Sequence, residues 1–225
     1  MKPPRRHTLI SDGPSDANLI PIINWTLNGV GGVELAEGAR AEFWRLQSPP
    51  GSLEERIRKA VELYPCDVLF IHRDAEKELP EARHVEIQAA VAAAAERGCC
   101  LPAVAVIPVR MLEAWLLFDE RALRLAAGNP NGRVALDLPP LRKLEDRPDP
   151  KMDLREALRT ASELRGRRLK KFDTRQAFWR VVDFIDDFSP LRELQAFAAF
   201  EDSVRRIRDN KWAPGFYGLG LAASE

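Results

Sequence analysis

Asp67-Val68-Leu69-Phe70-Ile71-His72-Arg73-Asp74-Ala75-Glu76 is a short apolar run that ends abruptly in charge. Pro65 stands just before it. The run is too short for a buried helix and has no polar alternation. It therefore fits a strand covered on both faces, as in a parallel sheet. Leu101-Pro102-Ala103-Val104-Ala105-Val106-Ile107 reads the same way. Between the two lies an alanine-rich stretch, about 82–97, that predicts a helix stopped by Gly98.

Upstream, residues 7–11 (His-Thr-Leu-Ile-Ser) predict a strand ending at Asp12. Gly13-Pro14 marks a turn, and Ser15 is placed to cap a helix through Leu19, Ile22, Ile23 and Leu27. Residues 40–46 (Arg-Ala-Glu-Phe-Trp-Arg-Leu) are the expected second strand. Ser52 with Glu55 has capping-box spacing, ahead of a helix face of Ile57, Ala60, Val61 and Tyr64. Strand and helix alternate from 7 to 107. The fold class is therefore α/β, with a mostly parallel central sheet flanked by helices.

Beyond 107 the pattern changes. Residues 111–127 predict one amphipathic helix. Residues 128–150 contain five prolines and read as a loop. Helical stretches follow near 151–164, 174–187 and 190–207, and the tail after 208 is glycine-rich. The expected division is an α/β domain over 1–127 and a loop with a helical extension over 128–225.

Composition narrows the function classes. Apolar residues make up 45% of the 225, enough for a sizeable core. The 34 basic and 34 acidic residues balance, so nucleic-acid binding would need a local basic patch. Three cysteines, Cys66, Cys99 and Cys100, lack C-x-x-C spacing, which argues against a disulfide framework or zinc ribbon. No run of about 18 apolar residues occurs, so no membrane span is expected. The N-terminus lacks a signal-peptide pattern, and the expected location is cytoplasmic.

In parallel α/β sheets, ligands bind at the carboxyl ends of strands. Asp12 ends the first expected strand, and Asp74 and Glu76 follow the third. Their spacing of two puts both side chains on one side if the backbone stays extended. Three converging carboxylates repel unless a cation neutralises them, and hard oxygen donors suit magnesium or manganese. Such a cation activates water and stabilises a phosphoryl transition state. The ordinary role of a lone acid here is a helix cap or a solvated loop residue; joint placement on neighbouring strand ends favours the metal.

Ser11-Asp12-Gly13-Pro14-Ser15-Asp16 resembles the first motif of the Toprim (topoisomerase–primase) fold. His72-Arg73-Asp74-Ala75-Glu76 resembles its D-x-D motif. Pro108-Val109-Arg110-Met111-Leu112-Glu113-Ala114-Trp115-Leu116-Leu117 is similar to a signature of small stand-alone Toprim-like proteins. These are related to the nuclease half of the overcoming-lysogenization-defect (OLD) proteins and are often encoded beside an ATPase in phage-defence loci. Pro150-Lys151 before a helix matches a later segment of that family. The resemblance implies a divalent-metal-dependent nuclease acting on DNA, with an ATPase as the expected partner protein; a homo-oligomer is a further expectation. Asp12 stands where the family usually has Glu, and Glu76 where it has Asp. Each keeps a carboxylate but shifts its reach by one methylene. That departure supports an alternative: a catalytically degenerate Toprim-like protein that binds nucleic acid or a partner.

The expected metal ligands are Asp12, Asp74, Glu76 and Glu113, the last following the fourth strand. Glu113 would otherwise face a helix dipole as a first-turn acid. The resemblance makes Lys151 the expected charge-neutralising residue at a scissile phosphate; its ordinary reading is a solvated first-turn residue. Arg110, Arg165, Arg167, Arg168, Lys170 and Lys171 are the expected nucleic-acid contacts; the last five lie within seven residues. Their ordinary reading is surface charge in a loop. His72 could move protons, although a hydrogen-bonded core histidine is the commoner case. Trp115 reads as core. Asp12-Gly13 also superficially resembles the first loop of haloacid-dehalogenase-like phosphatases, but the second Asp that chemistry needs two residues on is missing.

Overall fold

The computed structural model describes residues 5–76, 78–210 and 212. They form two compact units. One contains the described residues up to Ile107 and those from Ala199 onward; the other is Pro108–Ala198.

The first unit is built on four parallel strands: β1 (Arg5–Ile10), β2 (Ala36–Arg40), β3 (Val68–His72) and β4 (Ala103–Val106). Their spatial order is β2-β1-β3-β4. His7 pairs with Val68 and Phe70 with Val104, so the central pair β1–β3 is hydrogen-bonded on both sides. Every residue of β3 and β4 is buried. That explains why their sequences run apolar without alternation.

Side chains on the two faces differ. Leu69, Ile71 and Ala105 join a core cluster with Ile57 and Ala60 of α2 (Leu53–Leu63) and Ile87, Val91 and Ala94 of α3 (Pro80–Glu96). The opposite face carries His7 and Phe70, whose rings meet edge to face at 5.2 Å. There α1 (Leu19–Gly29) contributes Asn24, whose Oδ1 lies 2.7 Å from His7 Nε2. Phe200, on the C-terminal part of α8 (Gln195–Asp209), packs its ring 6.2 Å from Phe70. The sheet is thus covered by helices on both faces, as expected for α/β.

Local chemistry sets the element ends. Ser52 Oγ accepts the Glu55 amide while Glu55 reaches back to the Ser52 amide, the capping box read from sequence. Gly98, at φ +87, ends α3 as expected.

Several expectations move. The second strand is Ala36–Arg40, not 40–46. Gly38 lets it lie there: a Cβ would come within 2.5 Å of His7 Cε1 and 2.7 Å of Ile20 Cγ2. Ala41 and Phe43 are buried yet lie beyond the strand. Ser15 does not cap a long helix, because Pro14–Asn18 forms a 3-10 turn and α1 starts at Leu19.

The second unit is helical. The single helix expected over 111–127 is two pieces: a 3-10 turn, Leu112–Leu116, and α4 (Glu120–Ala126). Asp119 separates them because its carboxylate accepts the Ala122 amide and starts α4 afresh. The other helices are α5 (Pro150–Ser162), α6 (Gly166–Lys170) and α7 (Thr174–Val181). Gly166–Lys170, within a run expected as a loop, is a short helix. In place of one helix over 190–207, a 3-10 turn at Ser189–Glu193 precedes α8. Trp115 is fully buried, 5.2 Å from the Phe197 ring, so it is core as expected. The glycine-rich tail lies outside the described residues.

Candidate functional site

Asp12, Asp74 and Glu76 line one cleft of about 310 Å³, together with Asp16, His72 and Arg83. Asp12 follows β1 by two residues, and Asp74 follows β3 by two. The cleft therefore sits at the carboxyl rim of two adjacent parallel strands, where such sheets hold ligands.

The Asp12 carboxylate is the anchor of a charged cluster. Its Oδ1 accepts from Arg56 Nη1 at 2.7 Å, and its Oδ2 from Arg73 Nη1. Arg56 arrives from α2 and also donates to the Ser11 carbonyl through Nη2. Arg73 follows directly on β3, and its Nη2 lies 3.0 Å from Glu86 Oε1 on α3. Partial burial pushes the Asp12 carboxyl up, but the hydrogen bonds and charges of Arg56 and Arg73 outweigh it and hold the carboxyl below its ordinary value.

Arg83 ties the turn after β3. Its Nε donates to the Asp74 carbonyl at 3.2 Å and its Nη1 to Glu86 Oε2 at 3.0 Å. Glu86 therefore orients two arginines at once. Ala75, buried between Asp74 and Glu76, plugs the turn into the core. The backbone does not stay extended here: Glu76 sits at φ +55, in the left-handed region. Asp74 and Glu76 reach the cleft by that turn rather than by strand alternation.

His72 is 3% exposed. Its Nδ1 lies 3.0 Å from the Val106 carbonyl, which can only accept, so Nδ1 carries the hydrogen. Burial pushes the ring below its ordinary pKa, against the pull of Asp16, the Val106 carbonyl and Asp12 and with the push of Arg73. In the neutral ring Nε2 is then a lone pair, 3.4 Å from Asp74 Oδ1 and 3.9 Å from Asp16 Oδ1. Asp16 also serves its own loop, since its Oδ2 accepts the Gly13 amide at 2.8 Å and closes the turn after Asp12.

Donor type and donor position can be weighed separately for a metal. The acids offer the hard oxygens that magnesium and manganese prefer. Among the described residues, however, no three His, Cys, Asp or Glu side chains stand together in ligating geometry. Asp12 is committed to two arginines and would have to turn from them to reach a cation.

Arg110, Glu113, Lys151, Arg165, Arg167, Arg168, Lys170 and Lys171 belong to the second unit. Glu113 is buried in the Leu112–Leu116 turn. Arg110 adopts φ +62. Lys151 is exposed in the first turn of α5, which Asp149 caps through the Met152 amide. The five basic residues of the run are all exposed, in and around α6.

Sequence reading missed Asp16, Arg56, Arg73, Arg83 and Glu86. Asp16 and Arg73 lie inside the two quoted motifs, so their proximity was within reach. Arg56, 44 residues from Asp12, leaves no local signal.

Comparison with protein-family models, with curated proteins and with solved structures finds no match to this chain. Among the described residues no helix is long and apolar enough to cross a membrane.

Proposed function

We propose that the cleft at the carboxyl rim of β1 and β3 hydrolyses phosphodiester bonds of DNA with magnesium or manganese. The observation that carries this reading is the gathering of Asp12, Asp16, Asp74 and Glu76 with His72 in one cleft of a parallel sheet. When bound, the cation would supply an activated water and positive charge for the transition state. Asp12, Asp74 and Glu76 would hold it, and the His72 Nε2 with the Asp16 carboxylate would border it. The Toprim-like order of the motifs supports the same reading. The expected roles of Lys151, Glu113, Arg110 and the basic run remain part of this proposal. So do an ATPase partner, a homo-oligomer and a role in phage defence.

A second reading is a Toprim-like module that binds nucleic acid or a partner without cutting. The engagement of Asp12 by Arg56 and Arg73 favours it. The two readings separate on purified full-length protein given plasmid or single-stranded DNA with magnesium or manganese. The nuclease reading expects cutting that falls by about 10²-fold or more in Asp74→Ala and in Glu76→Ala. Undiminished cutting in both variants would show that the chemistry lies elsewhere. Titration calorimetry with manganese decides the metal: heat in the wild type that Asp74→Ala loses supports the nuclease, and no heat in the wild type supports the module.

A further inference from the structure

Two guanidinium groups from different elements converge on the two oxygens of one carboxylate. Arg56 takes Oδ1 of Asp12 and Arg73 takes Oδ2. The cations are the more sheltered partners: their side chains are 16% and 20% exposed, whereas Asp12 is 53% exposed. Each cation is also held from behind. Arg56 donates to the Ser11 carbonyl and lies over the Phe43 ring at 5.8 Å. Arg73 is braced by Glu86. The Nε of Arg73 is buried and makes no hydrogen bond among the described residues. The result is a fixed fork of N–H groups with a solvent-facing anion seated in it.

A carboxylate and a phosphate present the same two-point pattern to guanidinium forks. We propose that Arg56 and Arg73 form a phosphate-binding pair, that Asp12 occupies it in the absence of substrate, and that a backbone phosphate of nucleic acid displaces Asp12 from it. The inference rests on the proposed nuclease reading and deepens it by naming the residues that grip the strand.

The exchange predicts an outcome of unusual sign: removing a conspicuous acid of the site tightens substrate. The measurement is fluorescence anisotropy of a labelled thymidine oligonucleotide with full-length protein in EDTA, where no hydrolysis occurs. Asp12→Asn is expected to tighten binding by about fivefold or more, and Arg56→Gln and Arg73→Gln each to weaken it by about as much. Glu78→Gln removes the same charge from the loop after β3 without touching either arginine, and is expected to change binding by less than about twofold. In Asp12→Asn, adding Arg73→Gln is expected to abolish the gain.

Equal tightening by Asp12→Asn and Glu78→Gln would reduce Asp12 to a general charge and overturn the proposal. Retention of the gain in the double variant would also overturn it. Inorganic phosphate is titrated as competitor: displacement of the strand only at high excess supports the backbone phosphate, whereas preference for inorganic phosphate assigns the pair to a small ligand and overturns the proposal. Circular dichroism confirms that each variant is folded. Cutting by the wild type with no tightening in Asp12→Asn sinks this inference alone. Tightening without any cutting sinks the nuclease reading alone.

Discussion

His72 Nδ1 donates to the Val106 carbonyl at 3.0 Å, which locks a buried imidazole across β3 and β4 with its other nitrogen toward two carboxylates. The consequence is a pH dependence of stability. Burial lowers the pKa of His72, and burial likewise lowers that of His7 against its bond to Asn24. Below the ordinary histidine value of 6.5 the unfolded chain takes up protons that the folded chain does not. Stability is therefore retained above that value and lost as pH falls through it. The expected slope between pH 6.5 and 5.5 is at most about 1.4 kcal/mol per pH unit for each histidine. Glu145, raised by burial, works in the opposite sense, but closer to pH 4.5. Urea unfolding across this range checks the claim; stability that stays level or rises from pH 7 to 5.5 contradicts it.

Glu76 at φ +55 carries backbone strain that a glycine would not. Glu76→Gly is expected to leave thermal stability unchanged or slightly raised, because the relief offsets the added freedom of the unfolded chain. Glu76→Val is expected to cost about 1–2 kcal/mol, since a β-branched residue tolerates the left-handed region poorly. Calorimetric melts of the two variants compare them directly. A less stable glycine variant would mean that the Glu76 side chain, not its backbone, holds the turn.

Gly38 is where β2 and α1 close on His7. A Cβ there meets His7 Nε2 at 2.6 Å and Ile20 Cγ2 at 2.7 Å. Gly38→Ala is expected to destabilise by about 1–3 kcal/mol through overpacking. Gly98→Ala tests a different mechanism, because its Cβ meets nothing within 4 Å but its φ is +87. Its cost is expected near 1 kcal/mol from backbone strain alone. Chemical denaturation measures both costs; a Gly38→Ala variant as stable as the wild type would contradict the overpacking, and a Gly98→Ala variant without cost would contradict the strain.

Phe200 belongs to the first unit although it is almost 100 residues beyond β4 in the chain. It packs on Phe70, and Val204 and Ile207 beside it are fully buried. Phe200→Ala is expected to cost about 3–5 kcal/mol. A fragment of residues 1–127 lacks this cover and is expected to expose the Phe70 face and bind a hydrophobic dye. A cooperative, dye-free melt of that fragment would show the C-terminal segment to be dispensable.

How much of this was legible in advance follows from range. β3 and β4 are visible because burial on both faces forces a continuous apolar run, and the charge that ends the run marks the sheet rim. Asp74 is thereby placed on that rim from sequence alone, and Asp12 by the short strand that precedes it. β2 misleads for the converse reason. Ala36-Glu37-Gly38-Ala39-Arg40 has no β-branched or aromatic residue, whereas the segment just after it has Phe43 and Trp44. Local propensity pointed to the wrong segment; pairing with β1 and the close approach at Gly38 selected the right one.

The amino-acid sequence by itself determined the α/β class, the parallel sheet, the capping of α2 and the acids at two strand ends. These depend on periodicity and composition within about ten residues. Tertiary structure alone decided that Arg56 and Arg73 would share the Asp12 carboxylate, that Glu86 would brace two arginines, and that Glu76 would turn through the left-handed region. It also decided that the last part of α8 would cover Phe70. Such relations depend on which distant side chains meet once the sheet is assembled, and no local pattern encodes the direction of an arginine 44 residues away.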